Sequence, residues 1–167
     1  MNTIYIIGFM GVGKTTIGRA LAQKLGISVV DTDQKIVREA NKSIAAIFQE
    51  MGEPEFRKME TEVLRRISQP AIVITTGGGI VTTQDNISYM RANGTVILLQ
   101  CEFEVIWERI SRDATRPLAT FAKKDEIREL WQSRALVYEQ AAHIKVSTNG
   151  KSIQQTVNTL IERLKNG

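Results

Sequence analysis

The stretch Gly8-Phe9-Met10-Gly11-Val12-Gly13-Lys14-Thr15-Thr16 contains the pattern G-x-x-x-x-G-K-T. An apolar run, Thr3-Ile4-Tyr5-Ile6-Ile7, leads into it, and a helix-patterned segment that Gly26 stops leads out. Strand, glycine loop and helix in that order are the context in which this spacing cradles phosphate. The glycines let backbone N–H groups close on phosphate oxygens, and the helix N-terminus behind them adds partial positive charge. Lys14 reaches the β- and γ-phosphates, and the Thr15 hydroxyl can ligate Mg²⁺. The pattern predicts binding of a nucleoside triphosphate; the bland alternative is a glycine turn that matches by chance.

Other groups must say what is done with the triphosphate. Asp31 and Asp33 stand two apart after Ile27-Ser28-Val29-Val30. If strand geometry persists, both carboxylates point the same way, where one can hold metal-bound water and the other can take a proton. Helix capping is the competing reading. Arg57 and Glu60 stand at i, i+3. Their bland reading, slightly favoured by sequence, is a surface ion pair of little worth. The other is a guanidinium held ready to clamp a carboxylate. Gly77-Gly78-Gly79 follows an apolar run and predicts close approach of a ligand or another backbone. Thr75-Thr76 precede it where phosphate-loop enzymes usually carry an acid, which argues against a motor ATPase or GTPase. Arg116-Pro117-Leu118 lies in an irregular stretch, where a mobile arginine could close over phosphates.

The elements that position these groups follow from periodicity. Short apolar runs at about 4–7, 27–30, 71–75, 95–99 and 143–146 predict strands. Helical patterns run at about 14–25, 85–91, 103–111, 125–141 and 153–164. After a strand end at Asp31-Thr32-Asp33, residues to about Ser68 are mostly helical, with breaks at Asn41-Lys42-Ser43 and Gly52-Glu53-Pro54. Ser43 is placed to cap one helix, and Pro54 suits the first turn of the next. Strands alternating with helices imply an α/β domain with a parallel sheet covered on both faces. Ligands in such sheets sit at the carboxyl ends of the strands. Gly8, Asp31, Asp33 and Gly77 to Gly79 should therefore converge.

The 167 residues fit one domain, and a net charge of +4 without a Lys/Arg cluster gives no sign of nucleic-acid binding. Cys101 is the single cysteine, so no disulfide can form within the chain, in keeping with a reducing cytosol. Met1-Asn2-Thr3 lacks a basic leader, and no apolar run is long enough to span a bilayer. A cytoplasmic protein without a membrane partner is the expectation.

In combination these motifs resemble the shikimate kinase family. The resemblance rests on Gly-Phe-Met-Gly-Val-Gly-Lys-Thr-Thr at 8–16, Asp-Thr-Asp at 31–33 and Glu-Phe-Arg-x-x-Glu at 55–60. It includes Gly-Gly-Gly at 77–79 and Arg-Pro-Leu at 116–118, and it spans nearly the whole chain. It implies a three-layer α/β/α fold like that of nucleoside monophosphate kinases, with a five-stranded parallel sheet in the order 2-3-1-4-5. It implies transfer of the γ-phosphate of ATP to the 3-hydroxyl of shikimate with Mg²⁺, on the route to chorismate and the aromatic amino acids, by a monomer. Residues from about 33 to 60 would bind shikimate, and those from about 111 to 124 would form a lid.

Roles follow residue by residue from the resemblance. Gly11, Val12, Gly13, Lys14, Thr15 and Thr16 would bind ATP phosphates. Thr15 would ligate Mg²⁺, and Asp31 would do so through water. Asp33 would orient or deprotonate the attacking hydroxyl, and Lys14 and Arg116 would complete the catalytic set. Arg57 and Arg134 would bind the shikimate carboxylate, with Glu60 supporting Arg57. Gly78 and Gly79 would contact shikimate through backbone, and Phe48 and Phe56 would line its pocket. Arg109 would stack on adenine, and Lys151 and Ser152 would border it. Ala119, where the family often has leucine, leaves lid packing open. Two rivals remain at this level: another small-metabolite kinase, such as a gluconate or nucleoside kinase, and a nucleotide-binding module with little turnover.

Overall fold

The computed structural model describes residues 1–112 and 124–167. Five strands form one parallel sheet: β1 (Thr3–Ile7), β2 (Ser28–Asp31), β3 (Ile72–Thr75), β4 (Gly94–Gln100) and β5 (Ile144–Ser147), in the order β2-β3-β1-β4-β5. The helices among the described residues are α1 (Lys14–Leu25), α2 (Thr32–Ala40), α3 (Ile44–Met51), α4 (Glu53–Ile67), α5 (Gln84–Asn93), α6 (Phe103–Arg112), α7 (Lys124–Ala141) and α8 (Ile153–Asn166). The expected strand order holds, and observed boundaries lie within a few residues of those read from periodicity. A 3-10 turn, Ile80–Thr82, had no sequence signal and was not expected.

Both faces of the sheet are covered, so its central strands are apolar on successive residues rather than alternate ones. All five residues of β1 and all four of β3 are buried. The core they nucleate takes Ile17 and Leu21 from α1, Met90 from α5, Ile106 from α6 and Leu160 from α8. A separate apolar cluster, Ile36, Ile47, Phe56 and Val63, joins α2, α3 and α4.

Local chemistry sets the helix ends. The Ser43 hydroxyl accepts from the Ala46 N–H at 3.1 Å, which starts α3, and Pro54 lies in the first turn of α4. Gly26 ends α1 in the left-handed region at φ 70°, its N–H turned back to the Ala22 and Gln23 carbonyls. Asp31 caps α2, accepting from the Gln34 N–H at 3.1 Å. Strand geometry therefore stops at Asp31, and the condition under which Asp31 and Asp33 would share a strand face is not met: Asp33 sits on the first turn of a helix.

Register aligns the carboxyl ends. Thr75 lies opposite Ile6 on one side and Asp31 on the other. Helix α1 crosses β3 so closely that a Cβ on Gly18 would lie 2.2 Å from the Thr75 methyl carbon. Alanine normally favours a helix interior over glycine by about 1 kcal/mol. Here the clash with a stiff β-branched side chain outweighs that gain. Gly18→Ala should lower stability by about 1–3 kcal/mol, roughly 3–10 °C in melting temperature. A thermal melt of the variant checks this; a raised melting temperature would mean that helix propensity prevails.

Candidate functional site

The loop after β1 is tied down by its own lysine. The Lys14 ammonium donates to the Gly8 carbonyl at 2.6 Å and the Phe9 carbonyl at 3.0 Å. Gly11 and Gly13 have φ of 81° and 100°, a region costly for residues with a Cβ. Val12 is buried, which fixes the loop to the core. Thr16 follows Thr15 on the first turn of α1 and is exposed. Arg109 reaches from α6, its Nη1 donating to the Gly11 and Val12 carbonyls at 3.0 and 3.2 Å. The guanidinium that the resemblance places on adenine thus lies on the phosphate loop, its edge engaged.

Beside the loop, three oxygens share one corner. Thr15 Oγ1 and Thr75 Oγ1 both donate to Asp31 Oδ2, at 3.3 and 2.7 Å. Asp31 caps a helix with one oxygen and meets both hydroxyls with the other, so the capping reading holds for Asp31 while its second oxygen stays turned to the Thr15 corner. Thr75 stands where the acid of related loops would be and orients Asp31 instead. A cavity of about 290 Å³ opens at this corner, lined also by Arg19, Gln34, Lys35 and Arg38. A larger surface hollow, about 550 Å³, is lined by residues of α5 and by Gln140, away from these groups; converging polar groups, not size, mark the site.

The three glycines after β3 receive charged side chains. A Cβ on Gly77 would lie 2.6 Å from Asp33 Oδ1, and one on Gly79 would lie 2.4 Å from Arg57 Nη2. The close approach predicted there is real, but at these two positions the approaching groups are side chains from α2 and α4. Thr32 stitches the same junction, its hydroxyl accepting from the Gly77 N–H at 3.1 Å. A Cβ on Gly78 would lie 3.5 Å from the Met10 nitrogen and 3.7 Å from Arg134 Nη1. Phosphate loop, glycine loop, Asp33, Arg57 and Arg134 therefore meet.

Arg57 and Glu60 are not the surface pair that sequence favoured. Glu60 has no exposed area, and Arg57 Nη1 donates to its two oxygens at 3.0 and 3.2 Å. Arg57 Nη2 also donates to Glu53 at 3.3 Å. The Phe56 ring lies 5.2 Å from the guanidinium carbon, and Phe48 packs on Phe56 with centroids 4.8 Å apart. Arg57 Nε is buried and has no hydrogen-bond partner among the described residues. A buried donor of this kind fits an anionic ligand. Burial pushes the Glu60 carboxyl up to about 7; Arg57 pulls it down, Asp33 pushes it up and Arg134 pulls it down.

Ser152 caps α8, accepting from the Gln155 N–H at 3.1 Å while Gln155 accepts from the Ser152 N–H, so its side chain has a local structural task. Lys151 is exposed before it. Arg116, Ala119 and most of the expected lid lie outside the described residues. Sequence reading missed Thr75, Thr32 and Tyr138. The Tyr138 hydroxyl donates to the Gly78 carbonyl. Its spacing from Arg134, four residues on one helix, was the available signal.

The family model described as shikimate kinase matches residues 10–165. A shikimate kinase of Bacillus cereus is 48% identical over 166 residues, covering 98% of this chain and 99% of the relative. One from Persephonella marina is 43% identical, covering 99% of this chain and all of the relative. The solved structure of a shikimate kinase from Acinetobacter baumannii in complex with shikimate matches with a TM-score of 0.94 at 34% identity, covering 99% of this chain and 94% of that one.

The raised Glu60 carboxyl makes a signed prediction. A group whose folded pKa exceeds its unfolded value favours folding below the unfolded pKa, and that contribution is lost as pH rises through the folded one. Between the ordinary glutamate value of 4.5 and about 7, Glu60 should therefore cost on the order of 2–3 kcal/mol as pH rises. Denaturant melts at pH 5 and pH 8 should show wild type losing more stability than Glu60→Gln over that interval. Equal losses would mean that Glu60 titrates normally.

Proposed function

Because this chain belongs to the shikimate kinase family, we propose a division of labour among its convergent residues. The reaction is the ATP-dependent phosphorylation of shikimate. The observation that carries the assignment is the buried Arg57–Glu60 pair with its unengaged Nε, packed on Gly79 beside Asp33 and Arg134. A small carboxylate bearing hydroxyls calls for two cations at one end and an acid at the other.

Arg57 and Arg134 hold the shikimate carboxylate, and Glu60 fixes Arg57 from the dry side. Asp33 holds the 3-hydroxyl and orients it or takes its proton. Phe48 and Phe56 form the apolar wall, and Gly78 and Gly79 present backbone to the ring. Gly11 to Thr16 hold the phosphates of ATP, with Lys14 turning from loop carbonyls to phosphate oxygens. Arg109 and the Lys151–Ser152 loop border adenine. Arg116, in the Arg-Pro-Leu motif, closes on the transferring group, and residues from about 111 to 124 act as the lid, with about 33–60 as the substrate segment of one domain.

Thr15, and Asp31 through water, would hold Mg²⁺. Their hydroxyl and carboxylate oxygens suit a hard cation. Among the described residues no three His, Cys, Asp or Glu gather into a metal cage, and Mg²⁺ held largely by phosphates and water needs none. When bound it neutralises charge on the β- and γ-phosphates. No described helix is long and apolar enough to cross a membrane. We propose a cytoplasmic protein, as a single cysteine in the chain suits, without nucleic acid or membrane partner, acting as the monomer that the family resemblance implies.

Two substitutions test the roles in a coupled ADP-release assay. Asp33→Asn should lose roughly 10²–10⁴ in turnover if Asp33 takes the proton; near-normal turnover removes that role. Arg57→Lys should mainly raise KM for shikimate, because lysine cannot make a bidentate clamp. An unchanged KM would count against Arg57 as the anchor.

A further inference from the structure

Tyr138 carries none of the roles above, yet it lies against Gly78 and Arg134 at the proposed substrate end of the site. It stands one turn beyond Arg134 on α7, so the two side chains share a helix face. It is 4% exposed, and its hydroxyl donates to the Gly78 carbonyl. Burial pushes that hydroxyl up to about 12, against the pull of Arg134 and Arg57, so it stays a donor at working pH. A Cβ on Gly78 would lie 3.7 Å from both the Tyr138 hydroxyl and Arg134 Nη1. The next residue, Gly79, packs directly against the Arg57 guanidinium. One hydrogen bond thus joins the helix bearing Arg134 to the backbone that backs Arg57.

The geometry points to Tyr138 as a positioning residue that sets the spacing of Arg57 and Arg134, and so selects an acceptor with a carboxylate at that end. This rests on the reading of the two arginines as the carboxylate clamp. Without the hydroxyl, the direct hydrogen bond between α7 and the Gly78 backbone is lost, and the placement of Arg134 relative to Arg57 loosens. A filler role would need only the ring, which packs in the main core.

Tyr138→Phe keeps the ring and removes the donor. KM for shikimate should rise roughly three- to tenfold, the worth of one buried hydrogen bond, with KM for ATP unchanged within about twofold on the same reasoning. With the carboxamide of shikimate as ligand, wild type should bind weakly and Tyr138→Phe should add no further loss. Val157→Ala, a truncation in the core on α8, serves as the reference for general loosening and should leave KM for shikimate unchanged. An unchanged KM for shikimate in Tyr138→Phe overturns the inference. So does a parallel rise for ATP, an equal added loss with the carboxamide, or the same KM rise in Val157→Ala. Arg57→Lys is run alongside. If it too leaves shikimate binding unchanged, the clamp falls and Tyr138's role with it; if it weakens binding while Tyr138→Phe does not, only the role of Tyr138 falls.

Discussion

Two charged side chains lie against backbone that has no Cβ, and the proposed substrate end of the site depends on that clearance. Asp33 occupies the space that a side chain at Gly77 would fill, and Arg57 that at Gly79. Neither glycine has a positive φ, so space rather than backbone freedom accounts for them. Any larger residue would push the acid or the cation away from the end of β3. The order β2-β3-β1-β4-β5 places that end beside the phosphate loop, so acceptor and donor sites adjoin.

The remaining electrostatics follow from how dry this corner is. Burying Glu60 costs free energy that Arg57 only partly offsets, and the carboxyl therefore titrates near neutrality. An arginine held on one side by Glu60 and on the other by Glu53 has little side-chain freedom left to lose, and under the proposed role its unengaged Nε would meet an anion at small entropic cost. Stability is given up locally for a preset geometry. The separate apolar cluster of α2, α3 and α4 carries Phe56, and α4 carries Arg57, so the proposed substrate segment and its proposed clamp rest on packing of their own. Asp31 plays the matching part on the nucleotide side, where Thr75 replaces an acid and orients one already present.

The fold was largely legible because its signals are local. Continuous apolar strands, Gly26, Ser43 and Pro54 each state their structure within a few residues. The convergence of Gly8, Asp31, Asp33 and Gly77 to Gly79 followed from the parallel-sheet rule alone. Burial was harder to read. Arg57 and Glu60 at i, i+3 look alike on a wet or a dry face, and only the packing of Phe56 and the glycine loop decides. Whether strand geometry persisted to Asp33 was left open by the sequence, and the Asp31 cap decides it by starting α2 at Thr32. Tyr138 stayed hidden because its partner is a backbone carbonyl sixty residues away, which no side-chain pattern encodes.

The most direct test of the account is ADP release from Mg²⁺–ATP by the wild-type chain, with shikimate and with gluconate as acceptors. Two arginines and an acid spaced for a compact ring predict release that depends on shikimate and stays near background with gluconate. Release that proceeds without shikimate, or equally well with gluconate, would contradict it.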